Sequence, residues 1–165
     1  MNQDVDVAII GAGSAGLSAL REIRQHTENF VLINDGAYGT TCARVGCMPS
    51  KALIEAANAF HHRHRLREMG ISGGDRLTVD RAAVLRRVRA LRDAFVAYVL
   101  ERTQDLGERN ITGRCRFVEP QVLEVNGTRL KARRVIIATG SRPIVPQAWD
   151  AFRERVITSD DLFEL

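Results

Sequence analysis

The densest chemistry in this chain lies in one short run, Cys42-Ala43-Arg44-Val45-Gly46-Cys47-Met48-Pro49-Ser50-Lys51. The chain has 3 cysteines, an odd number and too few for a secreted disulfide scaffold. A close pair in a reducing compartment is more often catalytic or metal-binding than structural. Zinc needs four ligands, and no second cysteine pair supplies them. The cluster His61-His62-Arg63-His64 is the one candidate partner, and its spacing and interleaved arginine suit a solvated helix face. On a regular helix, Cα atoms five residues apart lie about 8.6 Å from each other. A disulfide needs less than about 7 Å. Cys42 and Cys47 can therefore bridge only where the helix is interrupted, which Gly46 permits. A helix is expected from Pro49, since proline suits a first helical turn. Cys47 then sits just before its N-terminus, where the dipole favours a thiolate. A thiolate beside a breakable disulfide is redox machinery. The alternative is two unrelated buried thiols. Cys115, on an expected strand without a neighbouring partner, reads as a small core residue.

A second motif opens the chain. Gly11-x-Gly13-x-x-Gly16 follows the β-branched run Val5–Ile10 without a gap, and precedes a helical pattern marked by Leu17, Leu20 and Ile23. Phe30–Ile33 is a second buried strand, so the first elements form a βαβ unit. In that context the glycines suit a dinucleotide. Gly11 permits the tight turn, Gly13 lets a diphosphate approach the backbone, and Gly16 lets helix and strand pack closely. The helix N-terminus supplies N–H donors. The alternative is a glycine turn needed only for packing. The second strand of such units usually ends in Asp or Glu to bind ribose hydroxyls. Here it ends Asn34-Asp35, so Asn34, or Asp35 from the next position, is expected to take that contact.

The elements that must position these motifs follow from pattern. A helix is expected from Pro49 to about Met69, closed by Gly70, and a longer one from about Asp80 to Leu106. The longer helix carries Val84, Val88, Leu91, Phe95 and Val99 at helical spacing. Three short strands follow, Arg114–Val118, Val122–Val125 and Arg129–Ala138, with Asn126-Gly127 as a hairpin turn. Residues 141–165 read as a tail leaving the domain. The predicted fold class is α/β, a Rossmann-like parallel sheet with flanking helices and a three-stranded β-meander. With 45% hydrophobic and 27% charged residues the composition is globular. No apolar run nears the ~20 residues of a membrane helix, and the start of the chain is acidic where a secretory signal is basic. The reading is a soluble cytoplasmic protein. The net charge is +4, and all but Lys51 and Lys131 of the 24 basic residues are arginine. They are spread along the chain, and aromatics are only 5%, so a nucleic-acid-binding domain ranks last.

Together these residues resemble the class I pyridine nucleotide–disulfide oxidoreductases, which include dihydrolipoamide dehydrogenase, glutathione reductase and mercuric reductase. Thr41-Cys42-Ala43-Arg44-Val45-Gly46-Cys47-Met48-Pro49-Ser50-Lys51 looks like their redox signature. Gly11-x-Gly13-x-x-Gly16, Gly113 and Thr139-Gly140-Ser141-Arg142-Pro143 agree in order and spacing, and the general form is most like dihydrolipoamide dehydrogenase. The resemblance implies FAD in the βαβ unit. Gly11, Gly13, Ser14, Ala15 and Gly16 would hold the diphosphate, and Asn34 and Asp35 would lie by the adenosine ribose. Thr41 and Lys51 would lie by the flavin, Gly113 by the adenine, and Thr139 and Gly140 close to the cofactor. Cys47 would be the flavin-proximal thiolate, and Cys42 the thiol that exchanges with a small dithiol or disulfide substrate.

The sequence departs from the family pattern at Asn34, at Thr40 (usually glycine), at Arg44 (commonly Asn) and at Met48 (commonly Ile). Arg44 adds a cation beside the thiols, expected to lower their pKa or to steer an anionic substrate. Family members also add a domain for NAD(H) or NADP(H), and a dimerisation domain bearing a catalytic histidine. The expectation is that residues 1–145 are the N-terminal part of an FAD-binding domain and 146–165 a connector to a nicotinamide-binding domain. The chain would then be one piece of a homodimeric enzyme of cell redox homeostasis, inactive alone. The competing reading is a non-catalytic flavin- or nucleotide-binding module with incidental cysteines.

Overall fold

A computed structural model describes residues 3–165. It divides into two compact units. One comprises the chain up to Thr41 together with Val96–Arg142, and the other Cys42–Phe95 with Pro143–Leu165.

The first unit is built on strand β1 (Gln3–Ile10), helix α1 (Ser14–Ile23) and strand β2 (Phe30–Asn34). This is the expected βαβ unit, with β1 and β2 parallel in the register Val7↔Phe30 to Ile10↔Ile33. Helix α1 ends at Ile23, the last of the three apolar positions that mark it in the sequence. After the second unit the chain returns through β3 (Asn110–Thr112), β4 (Cys115–Glu119), β5 (Val122–Val125) and β6 (Thr128–Ile137). Among the described residues these form one six-stranded sheet in the order β3-β2-β1-β6-β5-β4. Strands β3, β2, β1 and β6 run parallel, while β6, β5 and β4 form the antiparallel meander. The fold is thus Rossmann-like α/β, with β6 belonging to both ladders. Strand β3 is absent from the sequence reading because three residues carry no period. Its pairing of Leu32 with Asn110 and Asn34 with Thr112 comes from the sheet.

Alternation along β1 and β2 sends side chains to two cores, as the two-residue strand period requires. Val5, Ala8, Val31 and Ile33 pack with Leu123, Val125, Leu130 and Ala132 of the meander. Val7, Ile9, Phe30 and Leu32 pack with Leu20 of α1 and with Leu106. Burial on both faces is what an unbroken β-branched run predicts for a parallel strand. Each fully buried aliphatic side chain of this kind contributes about 1.5–3 kcal/mol.

The second unit holds helices α2 (from Thr41 to Val45) and α3 (Cys47–His61), and the greater part of α4 (Arg81–Gln104). Helix α3 begins at Cys47, two residues before the expected Pro49. It gives way at His62 to a 3₁₀ stretch reaching Met69. No side chain of that stretch is buried, so no packed stripe enforces α periodicity. Gly70 closes it in the left-handed conformation expected of a terminating glycine (φ 79°). Asp80 caps α4 by accepting the Ala83 N–H at 3.0 Å. The apolar stripe expected on α4 is covered at Val88, but Leu91 and Phe95 are 47% and 42% exposed.

Residues 141–165 do not run off as a tail. They include a 3₁₀ helix over Gln147–Arg155, and their end folds back onto α4. Arg89 donates to the carbonyls of Phe163 and Leu165 at 3.2 and 2.7 Å. Arg92 pairs with Glu164, and Phe163 is buried. Thr158 donates its N–H and hydroxyl to Asp161, which holds that carboxyl below its ordinary pKa. No helix among the described residues is long and apolar enough to cross a membrane.

Candidate functional site

The glycine loop lies between β1 and α1 in the first unit, and its three glycines have separate reasons. Gly11 has φ 106°, and a Cβ there would lie 2.3 Å from the Ala138 carbonyl oxygen. At Gly16 a Cβ would lie 1.8 Å from the Gly11 carbonyl oxygen, so α1 packs directly on the turn. Gly13 differs: a Cβ there would meet nothing within 4 Å. The packing-only reading therefore explains Gly11 and Gly16 and leaves Gly13 unexplained. Gly13 is the N-cap of α1, and no side chain caps the helix. The first-turn N–H groups of Ser14, Ala15 and Gly16 have no intrahelical acceptor by geometry. Uncapped donors beside the open space at Gly13 fit a diphosphate, both by hydrogen bonding and by the helix dipole.

Asn34 ends β2 beside this loop. Its Oδ1 accepts the Ala12 N–H at 3.1 Å, and its Nδ2 donates to the Gly36 carbonyl at 2.7 Å. Its own carbonyl accepts the Gly113 N–H at 3.0 Å. A Cβ at Gly113 would lie 2.4 Å from Oδ1 of Asn126, whose side chain donates to the Thr112 carbonyl at 3.0 Å and would have to shift. Asp35 is exposed. Thr139 and Gly140 follow β6, whose end is tied to β1 by the Ala138 N–H donating to the Ile10 carbonyl at 2.8 Å. Eleven of the expected cofactor positions thus belong to the first unit: Gly11, Gly13, Ser14, Ala15, Gly16, Asn34, Asp35, Thr41, Gly113, Thr139 and Gly140. Cys115 is half-buried there, and burial, then the Asp35 charge, push its thiol up. Thr40 adopts φ 62°, a left-handed conformation costly for a β-branched residue. Strain of this kind is commonly held next to functional segments.

The dithiol segment belongs to the second unit. Helix α2 runs to Val45, Gly46 breaks it (φ −130°, ψ −113°), and α3 restarts at Cys47. The interruption that a Cys42–Cys47 bridge requires is present. Both cysteines are in the free thiol form, Cys42 half-buried and Cys47 exposed. The two side chains hydrogen-bond each other, and the Cys47 backbone N–H donates to the Cys42 sulfur. That side-chain bond, then burial, then the Cys47 charge push the Cys42 thiol above its ordinary value. The Cys47 N–H and the Lys51 ammonium oppose the rise. The cation acting on Cys42 is thus Lys51, one turn into α3; Arg44, expected from sequence to play this part, is not among the groups that shift it. Thr41, the first residue of α2, is exposed.

A raised thiol pKa has a sign. The folded state holds this proton more tightly than the unfolded chain. Its contribution to stability is therefore full below the ordinary thiol range, and is lost as pH rises through the elevated folded value. In the reduced protein, alkylation of Cys42 by iodoacetamide should reach its midpoint above the ordinary thiol range. Lys51→Met should move it higher still. Arg44 lets trypsin separate the two cysteines, so peptide mass spectrometry over a pH series reads Cys42 alone. A midpoint unchanged by Lys51→Met would remove the ammonium from the account.

Residues 5–165 match the family model described as pyridine nucleotide-disulphide oxidoreductase. A mercuric reductase of Lysinibacillus sphaericus is 33% identical over 173 residues, covering 100% of this chain and 30% of that protein. A dihydrolipoyl dehydrogenase of Chlamydia pneumoniae is 32% identical over 170 residues, covering 100% of this chain and 36% of that one. The chain spans about a third of the length of these curated relatives. Among solved structures, the Cu(II) complex of the HOCl-induced flavoprotein disulfide reductase RclA from Escherichia coli superimposes with a TM-score of 0.72 at 21% identity. It covers 97% of this chain and 34% of that one, a likeness of fold. With the interrupted dithiol segment and the uncapped glycine loop, the match over nearly the whole chain places it in the pyridine nucleotide-disulphide oxidoreductase family of flavoprotein disulfide oxidoreductases.

Proposed function

We propose that this chain is the FAD-binding, dithiol-bearing part of an enzyme that moves two electrons between a nicotinamide nucleotide and a small disulfide. The observation that carries the reading is the helix break at Gly46, which puts the free Cys42 on α2 and the free Cys47 at the first position of α3, with Lys51 one turn further on. Bound FAD would supply the two-electron relay between NAD(H) or NADP(H) and the thiols. The residues of this chain bind and poise. The N–H groups of Ser14, Ala15 and Gly16 hold the diphosphate, with Gly13 leaving room for it. Thr139 and Gly140 line the cofactor, and Thr41 and Lys51 lie by the flavin. Cys47, at the helix N-terminus, faces the flavin, and Cys42 exchanges with substrate. In one direction the two thiols lose two electrons and two protons and join as a disulfide. In the other, the Cys42 thiolate attacks a substrate disulfide and expels one substrate thiol, and Cys47 then attacks the Cys42 sulfur of the mixed disulfide, which releases the second substrate thiol and leaves a Cys42–Cys47 disulfide. The raised Cys42 pKa works against formation of the attacking thiolate, and the Cys47 N–H and the Lys51 ammonium work for it.

Mercuric reductases and dihydrolipoyl dehydrogenases match at nearly equal identity, 33% and 32%. Within that pair the general form of the dithiol segment favours a dihydrolipoamide-like dithiol. The active form is a cytoplasmic homodimer of a longer protein, and this chain alone lacks turnover with NADH. The visible spectrum of the purified chain, before and after dithiothreitol, tests the reading. Flavin bands with a new long-wavelength shoulder on reduction are expected. A chain that stays colourless with added FAD would overturn FAD binding by this part, and NADH–lipoamide turnover by this chain alone would overturn its inactivity.

A further inference from the structure

Asn34 stands where the βαβ pattern usually has the carboxylate that accepts ribose hydroxyls. Its side chain is already engaged. An amide carries two N–H donors and one oxygen acceptor, whereas a carboxylate only accepts. Here the oxygen takes the Ala12 N–H at 3.1 Å, and the amino group gives to the Gly36 carbonyl at 2.7 Å. Ala12 is buried, 3% exposed, within the core that includes Ile9 and Leu20. Without Asn34 its N–H would be an orphaned buried donor, which folded chains avoid. A carboxylate could keep the Ala12 bond, but would set a second acceptor against the Gly36 oxygen. The turn after β2 is therefore shaped around an amide. The same residue's carbonyl takes the Gly113 N–H, so the glycine loop, the turn and the entry to the meander converge on Asn34.

Resting on the proposed flavin reading, we infer that Asn34 is a positioning residue. It fixes the diphosphate-binding loop through Ala12, and does not read the adenosine ribose. The nucleotide site of this chain is accordingly tolerant of the ribose 2′-hydroxyl. The specificity that a carboxylate would supply there is replaced by a preorganised loop.

Two measurements decide this. Hydrogen exchange at the Ala12 amide, read by NMR on the flavin-free chain, should be about tenfold faster in Asn34→Ala, the scale of one lost hydrogen bond. It should stay near wild type in Asn34→Asp, which keeps an acceptor oxygen. Equal exchange in wild type and Asn34→Ala, or lost protection in Asn34→Asp, overturns the tether. Asn34→Asp decides the point even if the alanine variant fails to fold. Affinity for FAD is then compared with that for its 2′-deoxyadenosine analogue. Wild type should bind the two within about twofold, and Asn34→Ala should weaken both alike by about tenfold. A wild-type loss of about tenfold with the analogue, absent in Asn34→Ala, would make Asn34 a ribose reader. A wild type that binds no flavin would sink the proposed function, while the exchange experiment would still decide the tether.

Discussion

Cys47→Ser will abolish the long-wavelength absorbance that appears when the flavin-loaded chain is reduced with dithiothreitol, and Cys42→Ser will not. The asymmetry follows from position. Cys47 is the exposed first residue of α3, at the positive end of the helix dipole, and Cys42 is half-buried on α2 with a raised thiol pKa. In the proposed reading only Cys47 faces the flavin. Loss of its sulfur removes the donor whatever the state of Cys42. Removing Cys42 prevents the disulfide instead, so Cys47 stays a free thiol and the absorbance should be present before any reductant is added. Spectra of the two variants with FAD, with and without dithiothreitol, make the comparison. Two variants that both match wild type would favour a flavin-binding module with incidental cysteines. A reversed pattern would exchange the roles of the two residues.

The glycine loop yields the second large effect, because its glycines should fail in different ways. Gly16→Ala places a Cβ 1.8 Å from the Gly11 carbonyl, a backbone atom that cannot swing aside. The expected cost is about 3 kcal/mol or more of folding stability, the range of severe overpacking. Gly13→Ala meets open space in a conformation that alanine accepts (φ −80°, ψ −172°). Its stability should change by less than about 0.5 kcal/mol. Its new methyl enters the space proposed for the diphosphate and weakens hydrogen bonds to a charged group, worth about 1.5–3 kcal/mol. FAD affinity should then fall about tenfold to a hundredfold. Urea unfolding and flavin fluorescence titration on each variant separate the two effects. If Gly13→Ala binds FAD as well as wild type, the diphosphate does not lie over this loop.

Much of this fold is written in local pattern. Val5–Ile10 and Phe30–Ile33 are unbroken apolar runs, and they are the strands buried on both faces. Asn126-Gly127 marks the β5–β6 hairpin, and Gly70 marks a helix stop. What escaped the sequence depends on distant partners. Strand β3 exists because β2 offers an edge to Asn110–Thr112. Arg89 and Arg92 look like any solvated helix face, yet they fasten the final residues through carbonyls and a glutamate more than seventy positions away. The dithiol segment was legible in composition, and Gly46 signalled its break. The helix nevertheless starts at Cys47 and not at Pro49, because proline tolerates any place in a first turn where its missing N–H is not needed. Lys51 and Arg44 were indistinguishable as cations by type, and in the folded chain it is Lys51 whose charge opposes the rise in the Cys42 pKa. Asn34 was legible as a departure, while its engagement with Ala12 and Gly36 was not.

The dual membership of β6 bears on the order in which the chain can be assembled. Its parallel pairing with β1 joins residues separated by 127 positions, as in the contact of Arg133 with Asp6. The β1–α1–β2 unit needs only a short closure and can form as it emerges from synthesis. Until β6 arrives, β1 keeps one unpaired side, and that side belongs to Val7, Ala8, Ile9 and Ile10. An apolar strand with an open ladder invites pairing with other chains. The interval between the emergence of residue 10 and that of residue 137 is therefore the period of greatest exposure to misassociation, and the stretch from Pro120 to Ile137, which holds none of the candidate site residues, is what ends it.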